Sequence, residues 1–173
     1  MTEALREAAL ERFNELPAQQ ARALLRDCCT AAAWVTQVER ERPYANAGEL
    51  QRTSERATLA LDNEGLEQAM AGHPRIGERT TALTGSDRFA HAEQAGVADA
   101  AAVILEQLAD ANRQYEQRFG HVYLVCATGK GADELLAICR ARLDNDPDAE
   151  RGIALAELAK INALRIDKLL DKG

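Results

Sequence analysis

The first candidates for chemistry in this sequence are its three histidines, His73, His91 and His121. His73 lies in a Gly-His-Pro sequence, and a proline disfavours helical backbone at the residue before it, which predicts a loop. An imidazole on such a loop has an ordinary pKa near neutrality, which suits a general acid or base. A histidine that only caps the loop would carry the same signature, so both interpretations stay open at this point.

Two further polar side chains stand where the sequence permits chemistry. Glu93 is flanked by small apolar residues, so its carboxylate is either a buried functional group or a surface group beside them. Arg165 lies in the largely apolar run 161–166, where it is either a solvated charge or a clamp for an anion. A guanidinium suits the second role because it grips a carboxylate in a bidentate way.

Two short motifs are weaker than they look. Residues 91–93 have the His-x-Glu spacing of zinc deaminases, but the sequence lacks the downstream Pro-Cys-x-x-Cys that this motif requires. Residues 128–131 resemble a phosphate-binding loop, yet Leu124 stands where that motif needs glycine and Gly131 where it needs serine or threonine. We therefore expect neither zinc deamination nor nucleotide binding.

The four cysteines, Cys28, Cys29, Cys126 and Cys139, include no Cys-x-x-Cys pair. Adjacent cysteines such as Cys28 and Cys29 fit neither a metal site nor a common disulfide framework. We interpret all four as small, buried hydrophobic residues.

Charge and composition exclude several kinds of partner. The formal net charge of −7 argues against nucleic acid and against an anionic membrane surface, because both require a basic face. No stretch approaches the roughly 20 apolar residues of a membrane span. Acidic residues interrupt the N-terminal segment, where a secretory signal would be apolar. From these features we expect a cytoplasmic protein.

Hydrophobic periodicity defines the elements that must position these side chains. Hydrophobic residues make up 46% of the chain but aromatic residues only 4%, so the core is mostly Leu, Ala, Val and Ile, a composition that favours helix. We predict an all-α fold of about 7–8 helices in a single compact domain over residues 1–173, with one short extended segment at Val122–Val125. The predicted helices cover residues 3–15, a long second helix from Pro17 to Arg42, and then 47–61, 64–71, 87–96, 99–118, 132–143 and 148–171.

Five segments carry a resemblance to a known family. They are His73-Pro74-Arg75-Ile76-Gly77, Glu93-Gln94-Ala95-Gly96, Asn112-x-x-Tyr115-Glu116-x-Arg118-Phe119-Gly120, Val125-Cys126-Ala127 and Lys160-Ile161-x-x-Leu164-Arg165. In this order and at this spacing they resemble the 2-oxo-4-hydroxy-4-carboxy-5-ureidoimidazoline (OHCU) decarboxylases. Each segment alone is a weak signal, whereas the ordered set spans nearly the whole chain and is specific.

The resemblance implies an all-α enzyme, commonly a homodimer, that needs no metal or organic cofactor. Such an enzyme converts OHCU to (S)-allantoin at the end of urate oxidation. His73 matches the family's catalytic histidine, Glu93 its catalytic glutamate, and Arg165 a substrate-binding arginine. The positions that match substrate-contacting segments are Pro74, Ala90, Gln94, Val125, Cys126, Ala127, Thr128 and Gly129.

One position departs from the family pattern. Ala90 stands where the family often has serine, so a hydroxyl that would hydrogen-bond the substrate is missing. Such a loss costs about 0.5–1.5 kcal/mol when water substitutes for the hydroxyl. Two other interpretations therefore stay open: an inactive helical binding or scaffold domain, and a decarboxylase of a related ureido acid.

Overall fold

The computed structural model describes residues 3–71, 73 and 93–172, with side chains for all of these except 3, 93–101 and 172. Within these ranges the chain forms eight α-helices and no strand, which confirms the predicted all-α fold. None of the described helices is long and apolar enough to cross a membrane. The helices are α1 (Glu3–Glu15), α2 (Ala18–Cys28), α3 (Ala32–Arg40), α4 (Ala47–Leu59), α5 (Asn63–Ala71), α6 (Glu93–Phe119), α7 (Ala132–Arg142) and α8 (Pro147–Lys172).

The chain divides into two compact units. The first comprises residues 1–73 and 151–173, so it contains α1 to α5 and most of α8. The second comprises residues 74–150 and contains α6 and α7. The single domain over residues 1–173 stays a prediction.

The first unit is built around Trp34 of α3, whose side chain is fully buried. Its indole Nε1 donates a hydrogen bond to the carbonyl oxygen of Ser54 in α4 at 3.1 Å, so the tryptophan is both packed and satisfied. Asn162 of α8 donates to the hydroxyl of Thr58 at 3.1 Å, which ties α8 to α4. Burial of each large aliphatic side chain here contributes about 1.5–3 kcal/mol relative to exposure. The fully buried aliphatic side chains of this unit include Leu25, Val38, Leu50, Leu158 and Ile166.

The prediction of one long helix from Pro17 to Arg42 is wrong. The chain leaves the helix at Cys29, which has extended backbone angles (φ −151°, ψ 130°), and a separate helix α3 begins at Ala32. The hydroxyl of Thr30, between the two helices, donates to the carbonyl oxygen of Gln68 in α5 at 2.5 Å. The apolar spacing continues across the break, so periodicity alone joined two helices into one.

Tertiary hydrogen bonds stabilise this break between α2 and α3. In a continuous helix the amide of Ala32 would donate to the carbonyl oxygen of Cys28. That oxygen instead accepts a hydrogen bond from Nη1 of Arg165 at 2.7 Å. The amide of Ala32 donates to Oε1 of Gln68 at 3.1 Å. Distant side chains therefore satisfy both ends of the missing helical bond.

The predicted break at Gly96 is also wrong, because α6 runs without interruption from Glu93 to Phe119. A glycine inside a helix costs about 1 kcal/mol relative to alanine, which is too little to end a long helix of good helix formers. The predicted start of a helix at Asp87 lies outside the described residues. Gly120 does end α6 as expected, since it has the left-handed φ of +76° that glycine adopts readily.

Residues 122–127 of the second unit form neither helix nor strand, and residues 123–126 among them are buried. Tyr123 and Val125 share one buried cluster with Leu108 and Tyr115 of α6 and with apolar residues of α7. Side chains two positions apart on the same side are the alternation of an extended chain. This agrees with the predicted extended segment.

Candidate active site

The structure brings together two of the residues singled out in the sequence, His73 and Arg165. His73 follows α5, and its amide donates to the carbonyl oxygen of Met70 at 2.9 Å, which holds the residue against the end of that helix. Its imidazole is half-buried. Nη2 of Arg165, on α8, lies 3.3 Å from Nδ1 of the ring. Both residues belong to the first unit.

Arg165 determines which nitrogen of His73 carries the proton. A guanidinium is always charged and can only donate hydrogen bonds, so Nδ1 of His73 must accept and the proton lies on Nε2. Nη1 of Arg165 is held by the carbonyl oxygen of Cys28 at 2.7 Å, which fixes the guanidinium from its other end. The end of α2 therefore orients Arg165, and Arg165 orients the imidazole.

Nε2 of His73 is buried and has no hydrogen-bond partner among the described residues. Leaving a buried donor unpaired costs about 1–3 kcal/mol, so such a group calls for an explanation. An incoming ligand with an acceptor oxygen would satisfy it.

The ring is neutral at physiological pH. Burial, and secondarily the positive charge of Arg165, lower the pKa of His73 from an ordinary 6.5 to about 4. A neutral ring with Nε2–H is a hydrogen-bond and proton donor, and it becomes a base at Nδ1 only if Arg165 moves away.

The predicted substrate-contacting residues 125–129 lie in the second unit and end in a tight turn. The amide of Lys130 donates to the carbonyl oxygen of Ala127 at 3.0 Å, which closes four residues into a β-turn. Gly129 occupies the third position with φ +78°, the geometry of a type II turn, where a side chain is disfavoured. Nζ of Lys130 reaches back to the carbonyl oxygen of Cys126 at 2.9 Å.

A buried ionic cluster in the second unit, which was not predicted from the sequence, holds Leu124, the residue before this segment. Arg142 of α7 is 6% exposed and Glu150 of α8 is fully buried. Nε of Arg142 donates to Oε1 of Glu150 at 2.7 Å, and its Nη1 donates to the carbonyl oxygen of Leu124 at 2.7 Å. Asn145 donates to the second carboxylate oxygen at 2.8 Å.

Tyr115 completes the cluster by donating its hydroxyl proton to Oε1 of Glu150. Burial and this hydrogen bond raise the pKa of Tyr115, so the phenol keeps its proton. A signal for the cluster was present in the sequence. Leu135, Cys139 and Arg142 follow the i, i+4, i+7 spacing of one helix face, which places the arginine on the buried face of α7.

The other predicted site residues are described only in part or not at all. Glu93 and Gln94 are the first two residues of α6. Pro74 and Ala90 lie outside the described residues. The roles of these four residues stay predictions.

Arg165 also lines a cavity of about 510 Å³ in the first unit, a size typical of small-molecule pockets. Phe13 of α1, Cys28 of α2 and Lys168 of α8 are among its other lining residues. His73 does not line this cavity, so we place the candidate active site at the contact between His73 and Arg165.

Fold and site together define an α-helical protein equipped for acid–base chemistry on a small polar molecule. Its polar centre joins a neutral imidazole, with its donor free among the described residues, to a fixed guanidinium that attracts an anion. Comparison with known proteins makes the assignment specific. The family model of OHCU decarboxylase matches residues 14–167, and the chain therefore belongs to the OHCU decarboxylase family.

Individual relatives agree with this assignment. The chain is 31% identical over 132 residues to the OHCU decarboxylase of Amia calva, an alignment that covers 75% of each protein. It is 33% identical over 105 residues to the uric acid degradation bifunctional protein TTL of Arabidopsis thaliana, covering 59% of this chain and only 32% of that longer protein. A crystal structure of an OHCU decarboxylase in the presence of (S)-allantoin is similar with a TM-score of 0.67 at 25% identity, covering 84% of this chain and 96% of that one.

Proposed function

We propose that this protein catalyses the decarboxylation of OHCU to allantoin in urate degradation, as a carboxy-lyase with His73 at the reacting centre. The observation that carries the proposal is the half-buried, neutral imidazole of His73, which Arg165 orients and whose buried Nε2 donor has no partner among the described residues. Family membership supports the reaction, since the related proteins are named as OHCU decarboxylases and uric acid degradation proteins.

The substrate supplies its own electron sink. OHCU carries a carboxylate and a hydroxyl on one ring carbon, and the neighbouring carbon, which bears the ureido group, is an imine. When the bond to the carboxylate breaks and carbon dioxide leaves, the electron pair moves toward the imine nitrogen, which takes up a proton from water. The resulting enol-like intermediate gains a proton on the ureido-bearing carbon, while the hydroxyl loses its proton and becomes a carbonyl. The protein therefore has to position the substrate and move protons.

The neutral His73 is suited to the donor role in this scheme. Its Nε2–H would hydrogen-bond a substrate oxygen or deliver a proton to one face of the intermediate, which would give the S enantiomer. Glu93, the other predicted catalytic residue, would then accept the hydroxyl proton. Among the described residues, Cys28 and His73 engage two of the five N–H donors of Arg165, and the other three would hold the anionic substrate.

The same proposal covers assembly and location. We infer a homodimer in the cytoplasm, on the resemblance to the family. Sedimentation velocity tests the dimer directly, because the mass derived for a dimer would be about twice the chain mass of 18.9 kDa. A species of 18.9 kDa at micromolar concentration would contradict the dimer.

The test of activity couples urate oxidase and hydroxyisourate hydrolase to this protein and follows the circular dichroism of allantoin as it forms. OHCU decays slowly by itself to racemic allantoin, so we expect the protein to produce one enantiomer rapidly. His73→Gln should slow the reaction by about 100-fold or more, the usual contribution of a general acid. If the folded wild-type protein did not accelerate the reaction, the proposal would fail, and a scaffold role or a related ureido acid substrate would take its place.

A further inference from the structure

We propose that Arg142 is a positioning residue for the reaction: through the carbonyl group of Leu124 it sets the position of the substrate-contacting residues 125–129. This inference rests on the proposed function, because only that function assigns those residues to the substrate. Arg142 itself would touch no substrate atom.

Arg142 is held from several directions, so its guanidinium is a rigid support. It is 6% exposed, and three of its donor atoms are engaged: Nε by Glu150, Nη1 by Leu124, and Nη2 by both Glu150 and the hydroxyl of Tyr115. The ring of Tyr123 lies against the guanidinium at 5.0 Å, which restrains it out of its plane as well. The support therefore touches the extended segment at two successive residues, Tyr123 and Leu124.

The direction of these hydrogen bonds determines which edge of the segment is occupied. In an extended chain, backbone groups of residues i and i+2 point to the same edge, and those of residue i+1 point to the opposite one. The carbonyl oxygens of Leu124 and Cys126 both accept from cations, Arg142 at 2.7 Å and Lys130 at 2.9 Å. The amide and carbonyl groups of Val125 therefore face the other edge.

That other edge suits the proposed substrate class. A ureido-substituted imidazoline presents N–H donors and carbonyl acceptors, which pair with backbone groups in the way that an added strand does. Recognition of this kind depends on the position of the backbone more than on side-chain identity. A displacement of about 1 Å at a reacting geometry can cost up to about 100-fold in rate, so the support for this edge matters.

Stability alone does not explain why Arg142 and Glu150 form a buried ion pair. Replacing a buried ion pair with well-packed apolar residues is often neutral or stabilising. An apolar side chain at position 142 could fill the space, but it could not donate to the carbonyl oxygen of Leu124. Specific placement of the backbone is therefore what the arginine supplies.

The test compares Arg142→Lys with a matched control, Arg42→Lys in the first unit. Arg42 is also buried against a glutamate, Glu39 at 3.1 Å, and also donates to main-chain carbonyl oxygens, those of Phe13 and Leu16 at 2.7 and 2.9 Å. It therefore matches Arg142 in pairing with a glutamate and in donating to main-chain carbonyl groups, and the described partners of Arg42 belong to the first unit. For wild type and both variants, the measurements are kcat and KM for OHCU, the dissociation constant for (S)-allantoin by calorimetry, and the thermal midpoint.

Both variants should lower the thermal midpoint, because each loses hydrogen bonds from a buried guanidinium. Only Arg142→Lys should weaken (S)-allantoin binding and raise KM, each by about ten-fold, since only it releases the backbone that contacts the ligand. Unchanged binding and KM in Arg142→Lys would overturn the inference. An equal loss in Arg42→Lys would overturn it too, because general destabilisation would then explain both results.

If Arg142→Lys does not fold, Lys130→Met provides the second variant, since Lys130 is partly exposed and supports the same edge at Cys126. Lys130→Met should raise KM several-fold, and Lys130→Arg, which can still donate, should restore it. Wild-type KM in Lys130→Met would overturn the inference. Failure of the proposed function is distinguishable, because the wild-type protein itself would then not turn over OHCU.

Discussion

The imidazole of His73 differs from the ordinary histidine that the sequence predicts. A loop histidine with a pKa near neutrality would change charge at physiological pH. Burial beside Arg165 instead keeps this ring neutral and fixes its proton on Nε2. The ring is thus prepared to donate, and a carboxylate such as Glu93 is left as the candidate base.

This neutral state predicts the pH dependence of the reaction. The active form of His73 is lost only as the pH falls through about 4, so kcat/KM should be level between about pH 8 and about pH 6. It should decline below that range as His73 gains a second ring proton. A fall in kcat/KM with its midpoint near pH 6.5 that is absent in His73→Gln would contradict the neutral state assigned to His73.

The contribution of Arg165 to this pKa can be measured separately. We expect the ring signals of His73 to titrate at about 4 by NMR in the wild-type protein, and at a higher pH in Arg165→Gln. The value should stay below 6.5, because burial is the larger cause of the shift and remains in the variant. Lys168→Gln, which removes a like charge from the exposed face of the same helix, is the matched control and should leave the titration unchanged.

The same shift couples folding to pH. The folded pKa is lowered, so the unfolded chain binds the His73 proton more readily than the folded chain does. This contribution to stability is complete above pH 6.5 and is lost as the pH falls from 6.5 toward 4.

At the scale of elements, the turn after the extended segment offers a comparison of two glycines. Gly129 and Gly120 both have left-handed φ angles, +78° and +76°, and an added Cβ would meet no atom within 4 Å at either position. Gly129→Ala and Gly120→Ala should therefore each destabilise the protein by about 1–2 kcal/mol through backbone strain alone. Chemical denaturation measures both losses.

The KM for OHCU should distinguish Gly129→Ala from Gly120→Ala. Gly129 belongs to the predicted substrate-contacting residues, so Gly129→Ala should also raise KM for OHCU, whereas Gly120→Ala should leave KM unchanged. Equal KM values in the two variants would argue against a role for the turn in substrate binding.

The helix boundaries illustrate what a pattern can predict. Apolar periodicity identified α1, α4, α5, α7 and α8 nearly to the residue, because each has a local signal such as a cap, a proline or a glycine at one end or the other. It joined α2 to α3, because that break depends on Arg165 and Gln68, which are distant in sequence. It also overrated Gly96, since a local signal that costs about 1 kcal/mol is easily outweighed over a long helix.

At the scale of the whole molecule, the buried cysteines predict slow reaction with thiol reagents. All four cysteines are buried and none forms a disulfide, as expected from the sequence. Burial raises the pKa of Cys28 and of Cys139 to about 11, and also raises that of Cys29, so little thiolate is present at neutral pH. We expect almost no reaction with a chromogenic disulfide reagent in the native protein, and four thiols per chain after unfolding. Rapid native reaction of any of them would contradict the burial described for it.

The sequence by itself determined the all-α class, most of the helices and the family, because periodicity, composition and ordered motifs depend only on the order of residues along the chain. It also identified His73 and Arg165 as candidates. Only the tertiary structure decided that these two residues meet, that the ring is neutral, and that the buried cluster of Arg142, Glu150 and Tyr115 supports the segment that precedes Gly129. The physical reason is that pKa, tautomer and backbone placement depend on burial and on partners far away in the sequence, and these exist only once the chain has folded.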